Sequence, residues 1–498
     1  MRWATLTVCV CLTAAQTTTM SQQLLPNSLP TALGGRCMDG SMAGYYWREG
    51  SNKDLWVIFM AGGGACYSQA SCASRAKSDL GSSTNWKMTE IGSGFQRADC
   101  ATNPDFCQAQ QVYVPYCSGD CHKGNNTSPS PLSWGFYFDG HANFAAIVDE
   151  LVTSRGLGKA GQKVLLTGGS AGGVGTFFNL DWLQERLPGT TVKGAPNAGW
   201  FFPAALPDDL PGGIYPPSDW AHYEAGTHGN QQTNATFAQF VAGTLWNTRG
   251  IVPPACVAAQ QSPELWTACS SVGTAYKYIK APLFVIENQF DTNQIHAQEG
   301  APGKGKDAAE QALLEKYVAM YGQAMRNSTQ QVLDDAPVTQ KAQKDGLFHP
   351  SCYQHGVSAE LQGMGQNPIV NDWFFEKGEL SQYYRIMERC PAGSPSAGGV
   401  ELPCSSSKGC LMPGAGPSPG PSPGPSPGPG PSLGPDAKCK QQLRKDGCLQ
   451  QGANSNGLNA CEKCAFQHRT DLTSQCLSQT QVKRLCSTDA DAELGQIL

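Results

Sequence analysis

Val164-Leu165-Leu166-Thr167-Gly168-Gly169-Ser170-Ala171-Gly172-Gly173-Val174-Gly175 is the stretch on which the fold turns. Its apolar start predicts a strand buried on both faces, and Phe177, Leu180 and Leu183 follow at helical spacing. Between strand and helix lies a run of small residues centred on one serine. A serine displayed from so tight a turn needs glycine at positions 168 and 172, where any side chain would meet neighbouring backbone. Ser170 is therefore read as a nucleophile. The motif alone is weak in a chain with 57 glycines, and a structural glycine turn is the alternative; the flanking strand and helix favour catalysis.

Similar signals recur outward from this turn. Trp56–Met60 predicts a strand running into Ala61-Gly62-Gly63-Gly64-Ala65-Cys66, and Gln111–Cys117 a second, closed by Ser118-Gly119-Asp120. Residues 122–134 read as polar loop, Ala142–Leu151 as a helix and Leu283–Glu287 as a strand delivering Asp291. Ala308–Met325 is strongly helical, and Gly346–Gly356 reads as a loop holding His349, Cys352 and His355. The strand–helix alternation predicts an α/β-hydrolase-like fold, a mostly parallel sheet with helices on both faces. The aromatic-rich residues 200–275 read either as a cap over the strand ends or as ordinary core.

The 498 residues carry a formal charge of −5, and only 15% are charged, so no basic surface argues for nucleic acid. Residues 1–20 have the pattern of a signal peptide: Arg2, a short apolar run from Ala4 to Ala15, then small residues, with cleavage expected near 15–21. No later run is long enough for an integral membrane segment. Of 21 cysteines, 13 lie between residues 30 and 412, a usage that fits disulfides in a secreted chain and leaves at least one unpaired within that region. Sequons at Asn125, Asn126, Asn234 and Asn327 fit that route and would mark surface loops. Residues 413–435 repeat Pro, Gly and Ser and predict an extended linker spanning up to roughly 70 Å. Residues 436–498 hold six cysteines, which suggests a disulfide-rich module with Cys461-x-x-Cys464 as a less favoured zinc half-site.

A serine nucleophile requires a base, an acid that orients the base, and donors for the oxyanion. In α/β-hydrolases they follow the order serine, acid, histidine. That order demotes His122, His141, His222 and His228, and leaves Asp291 as acid, with Glu287 as its rival inside the strand. His355 is preferred to His349, which the following proline stiffens. The oxyanion donors would be the amides of Gly63, Gly64 and Ala171. No metal or cofactor is called for.

Cys37-Met38-Asp39-Gly40-Ser41, Gly44-Tyr45-Tyr46, Gly62–Gly64 with Cys66, Pro115–Asp120, the Ser170 turn, Asp291 and Cys352-x-x-His355 occur in an order that resembles the pectin acetylesterase family, which includes the Notum carboxylesterases. The resemblance covers residues from about 30 to 400, within an expected esterase domain of residues 30–412. It implies metal-free ester hydrolysis by Ser170, Asp291 and His355, and disulfides Cys37–Cys117 and Cys66–Cys72. Gly64 is nearer the plant-type members, whereas Gly173-Val174-Gly175 and Gly199-Trp200-Phe201 are nearer Notum. The expectation is a secreted carboxylesterase, extracellular or in the cell wall, removing O-acetyl groups from pectin or a related polysaccharide, with the C-terminal module as a possible tether to matrix or glycan. The alternatives are a Notum-like deacylase of an acylated protein, a peptidase, and a non-catalytic binding protein of wall or matrix.

Overall fold

The computed structural model describes residues 18–201, 239–295, 308–334, 345–361, 363–389, 400–403 and 407–408. The chain divides into two units between Gly416 and Pro417, inside the proline-rich stretch; the linker and the six-cysteine module lie outside the described residues.

The first unit is built on an eleven-stranded sheet. Its strands are β1 (Thr19–Leu24), β2 (Gly44–Arg48), β3 (Leu55–Met60), β4 (Thr89–Ile91), β5 (Gln110–Val114), β6 (Lys163–Gly169), β7 (Thr191–Asn197), β8 (Phe284–Ile286), β9 (Gly346–His349), β10 (Arg385–Arg389) and β11 (Val400–Pro403). The spatial order is β11-β10-β9-β8-β7-β6-β3-β5-β2-β1-β4. From β11 to β5 every pairing is parallel, while β2, β1 and β4 continue the sheet antiparallel.

The apolar strands lack polar alternation because both faces are covered. Trp56, Ile58 and Met60 of β3, with Val164 and Leu166 of β6, join one core with helices α2 (Gly140–Arg155) and α3 (Ala171–Arg186) through Phe144, Ile147, Phe177 and Leu180. Leu55, Val57 and Leu165 point the other way, into a second core with Ile369, Trp373 and Phe374 of a C-terminal helix, Gln366–Phe375. Each such fully buried side chain contributes roughly 1.5–3 kcal/mol.

Several expectations differ from the structure. The boundary at residue 20 falls inside β1, whose Met20 is fully buried and pairs with Glu90, so the sheet begins before residue 30. The supposed loop from Gly346 starts as β9, all four residues of which are buried. Residues 122–134 are polar in composition, yet His122, Lys123 and Gly124 are buried. Asn327 lies within the helix Ala308–Leu333, here α4, with Thr329 of its sequon buried, rather than in a loop. Asn125 is exposed, Asn126 donates its side-chain amide to the Leu245 carbonyl, and Asn234 is outside the described residues. In the 200–275 region, Trp200 and Trp246 are core residues; residues 202–238, Trp220 and Phe237 included, are outside the described set.

Cys37–Cys117, Cys66–Cys72, Cys100–Cys107 and Cys256–Cys269 are disulfides, Cys352 is disulfide-bonded, and Cys121 is free. Among the described residues no helix is long and apolar enough to cross a membrane.

Candidate active site

The parallel order β8-β7-β6-β3 brings four strand ends to one edge of the sheet, the edge where open α/β sheets hold their sites. Ser170 sits between β6 and α3 with φ 56° and ψ −122°, a left-handed conformation that a non-glycine residue adopts only under constraint. The constraint is visible in the glycines around it. A Cβ on Gly168 would lie 2.4 Å from the Gly172 carbonyl oxygen, and one on Gly172 would lie 1.9 Å from that of Met60. The first turn of α3 packs backbone against backbone here, which is why it is made of small residues. Ser170 donates its amide to the Asn197 carbonyl at 2.9 Å, and its own carbonyl accepts from Val174.

From β8 the chain delivers Asp291, fully buried, to His355. The His355 Nδ1 lies 2.8 Å from Asp291 Oδ1 and 3.0 Å from Oδ2. A carboxylate only accepts, so Nδ1 carries the proton and Nε2 presents a lone pair. That Nε2 is buried and has no hydrogen-bond partner among the described residues, Ser170 Oγ included; such contacts commonly close only when substrate is bound. Asp291 is steadied by the amides of Asn293 and Gln294.

Two asparagines hold the His355 loop to the serine turn. Asn288 donates from its side-chain nitrogen to the carbonyls of Gln354 and Gly356, each at 2.9 Å, on either side of His355. The Asn197 side chain accepts from the Val357 amide at 2.9 Å, while its backbone carbonyl takes the Ser170 amide. Ser170 and His355 are thus tied to one residue. Asn197 ends β7 and Asn288 lies two residues beyond the apolar β8, so each is a polar residue at a strand end on the site edge, the one sequence signal that points to them.

The rival residues have other roles. Glu287 is buried and accepts from the amides of Trp200 at 2.8 Å and Asn288 at 3.2 Å. Burial and the neighbouring Asp291 charge hold its carboxyl well above the usual range. His349 ends β9 fully buried, its Nδ1 2.8 Å from the Glu287 carbonyl oxygen, and burial pulls its pKa down to about 3. His122 is likewise buried, its Nε2 2.8 Å from the Ala61 carbonyl oxygen and its pKa pulled to about 4.

Beyond β3, the amides of Gly63, Gly64 and Ala171 donate to no acceptor among the described residues. Gly63 and Gly64 have φ of 147° and 69°, which glycine alone tolerates well. Ala61 and Ala171 form a small apolar cluster with Tyr116, and Leu80, Tyr113 and Cys121 pack against it. The Ala171 amide is also at the N-terminus of α3, where the helix dipole favours negative charge. The pieces of acyl transfer therefore share one edge: a half-buried serine on a strained turn, an imidazole oriented by a buried carboxylate, and uncommitted amides. Among the described residues no group of three or more His, Cys, Asp or Glu side chains could hold a metal.

The model of the family described as pectinacetylesterase matches residues 13–209 and 220–391. Pectin acetylesterase 11 of Arabidopsis thaliana is 30% identical over 363 residues, 70% of this chain and 85% of that protein. The palmitoleoyl-protein carboxylesterase NOTUM of Homo sapiens is 29% identical over 330 residues, 64% of this chain and 59% of that protein. Among solved structures, the Wnt deacylase Notum from Drosophila superposes with a TM-score of 0.58 at 25% identity, over 75% of this chain and 97% of that one.

Proposed function

We propose, since this chain belongs to the pectinacetylesterase family of carboxylic ester hydrolases, that Ser170, Asp291 and His355 form its triad and that it removes O-acetyl groups from pectin or a related polysaccharide. His355 Nε2 takes the Ser170 proton as Oγ attacks the acetyl carbonyl, and the developing oxyanion is held by the amides of Gly63, Gly64 and Ala171. Collapse expels the sugar oxygen, which receives the proton from His355. Water, deprotonated by the same imidazole, then attacks the acetyl-serine and releases acetate. Asp291 holds the tautomer and stabilises the imidazolium. The observation that carries this reading is the left-handed Ser170 turn on the same sheet edge as the His355–Asp291 pair.

The apolar start of the sequence and the disulfides support a secreted enzyme. The Pro-Gly-Ser stretch and six cysteines support a tethered accessory module at residues 436–498. The structural likeness to a Wnt deacylase favours one second reading, in which the acyl group is long and its carrier is a protein.

Acetate release from acetylated pectin, together with the rates on p-nitrophenyl acetate and octanoate, tests both. The proposal expects acetate release and faster turnover of the acetate ester, both lost in Ser170→Ala. Preference for octanoate without acetate release from pectin would favour the second reading, and full turnover by Ser170→Ala would overturn the triad.

A further inference from the structure

The glycine loop that follows β3 is held from outside by one side chain. Arg75 ends the short helix Gln69–Arg75 and reaches back to the loop, donating from Nη2 to the Gly63 carbonyl at 2.7 Å, with the Ala65 carbonyl 3.4 Å away. Its guanidinium lies 5.7 Å from the ring centroid of Tyr116, whose edge also lines Gly63. The helix that carries Arg75 is stapled to the end of the loop by Cys66–Cys72, and the Cys66 amide is fixed to the Gly119 carbonyl at 3.1 Å. Loop, disulfide, helix and arginine close on themselves.

A trans peptide sets its C=O and N–H antiparallel. Holding the Gly63 carbonyl toward Arg75 therefore fixes the Gly64 N–H in the opposite direction, where it meets no acceptor among the described residues. Nothing intrinsic to the loop would do this. With glycine at 62, 63 and 64, the Gly63–Gly64 peptide plane can rotate at little steric cost. Two peptides earlier, the Ala61–Gly62 unit is pinned separately, by His122 Nε2 on the Ala61 carbonyl. Oxyanion donors contribute most when they are already oriented as charge develops.

We propose that Arg75 is a positioning residue for ester hydrolysis, aiming the Gly64 amide at the oxyanion by holding the Gly63 carbonyl, with the Cys66–Cys72 staple holding Arg75 in reach. The inference rests on the Ser170 reading above. Arg75 touches neither substrate nor reacting atoms; its effect is on the transition state through the peptide it holds. Leu80 and Tyr116 pack on the Gly63 side of the loop, leaving the arginine as its polar restraint.

The test uses the full chain with Arg75→Met, Arg75→Lys and Ser170→Ala. It measures kcat and KM on p-nitrophenyl acetate and the inhibition constant of 1,1,1-trifluoroacetone, whose serine adduct carries the same oxyanion. Arg75→Met should lower kcat by about 30-fold or more, somewhat short of the roughly 100–1,000-fold cost of removing an oxyanion donor outright, with KM within about twofold. The trifluoroketone should weaken by the same factor as kcat/KM. Arg75→Lys, which keeps one donor for the Gly63 carbonyl, should recover part of both and serves alone if Arg75→Met does not fold. A loss confined to KM, unchanged trifluoroketone affinity, or wild-type kcat in either Arg75 variant that folds would overturn the proposal. Persistent turnover by Ser170→Ala would instead overturn the triad itself, so the two failures are distinguishable.

Discussion

At Gly172 the identity of the nucleophile turn depends on one absent carbon. Its Cβ would sit 1.9 Å from the Met60 carbonyl oxygen, a backbone atom of the central strand, so α3 or β3 must shift to admit it. At Gly169, two residues before α3, the nearest atom to an added Cβ is 3.9 Å away. Gly172→Ala is therefore expected to cost about 2–4 kcal/mol, as overpacking against rigid backbone does, and to cut esterase activity by displacing Ser170. Gly169→Ala should stay within about 1 kcal/mol of wild type. Urea unfolding of both variants checks this; equal stabilities would mean that the turn is not held by backbone contact. The Gly-x-Ser-x-Gly requirement was legible from residues alone, because the clash that enforces it is local.

Among the elements, β9 separates what the sequence reveals from what it hides. Gly346-Leu347-Phe348-His349 is too short for its period to be read, and Pro350 and Cys352 next to it suggest a loop. Tertiary context makes it a strand: β8 and β10 flank it in parallel, and His349 ends up beneath the carbonyl of Glu287. Its burial has a thermodynamic consequence. In the unfolded chain the imidazole takes up a proton as the pH falls below its ordinary value near 6.5, whereas in the fold it does so only near 3. The unfolded state binds more protons across that window, so this residue's contribution to stability is lost as pH falls from about 6.5 toward 3. His349→Gln should be less stable than wild type at pH 7, and the gap should narrow by about 1 kcal/mol per pH unit between pH 6 and 4. Urea midpoints at three pH values measure it; a gap independent of pH would show that His349 is not held neutral. Longer elements were easier to read. The strands around Ile58 and Leu165 and the helix at Phe144 stood out because both faces or one full stripe are apolar, whereas β1 and the edge strand β4 are largely polar and only pairing defines them.

For the whole molecule, the serine–acid–histidine order and the parallel sheet were readable, since order along the chain dictates which strand ends can meet. The residues that hold the parts together were not. Asn197, Asn288 and Arg75 act through backbone carbonyls and amides far away in sequence, and Arg75 comes from a helix that no motif includes. The Cys37–Cys117 and Cys66–Cys72 pairs came from the family resemblance, and the second of them closes the clamp on the glycine loop. Family membership fixes ester hydrolysis as the reaction class; the atom proposed to perform it is Ser170 Oγ. The most direct test is covalent. The active protein is treated with a fluorophosphonate and digested, and the modified peptide is located by mass spectrometry. The account predicts one adduct, on Ser170, forming in step with loss of p-nitrophenyl acetate turnover; an adduct on another residue, or none while turnover is lost, would contradict it.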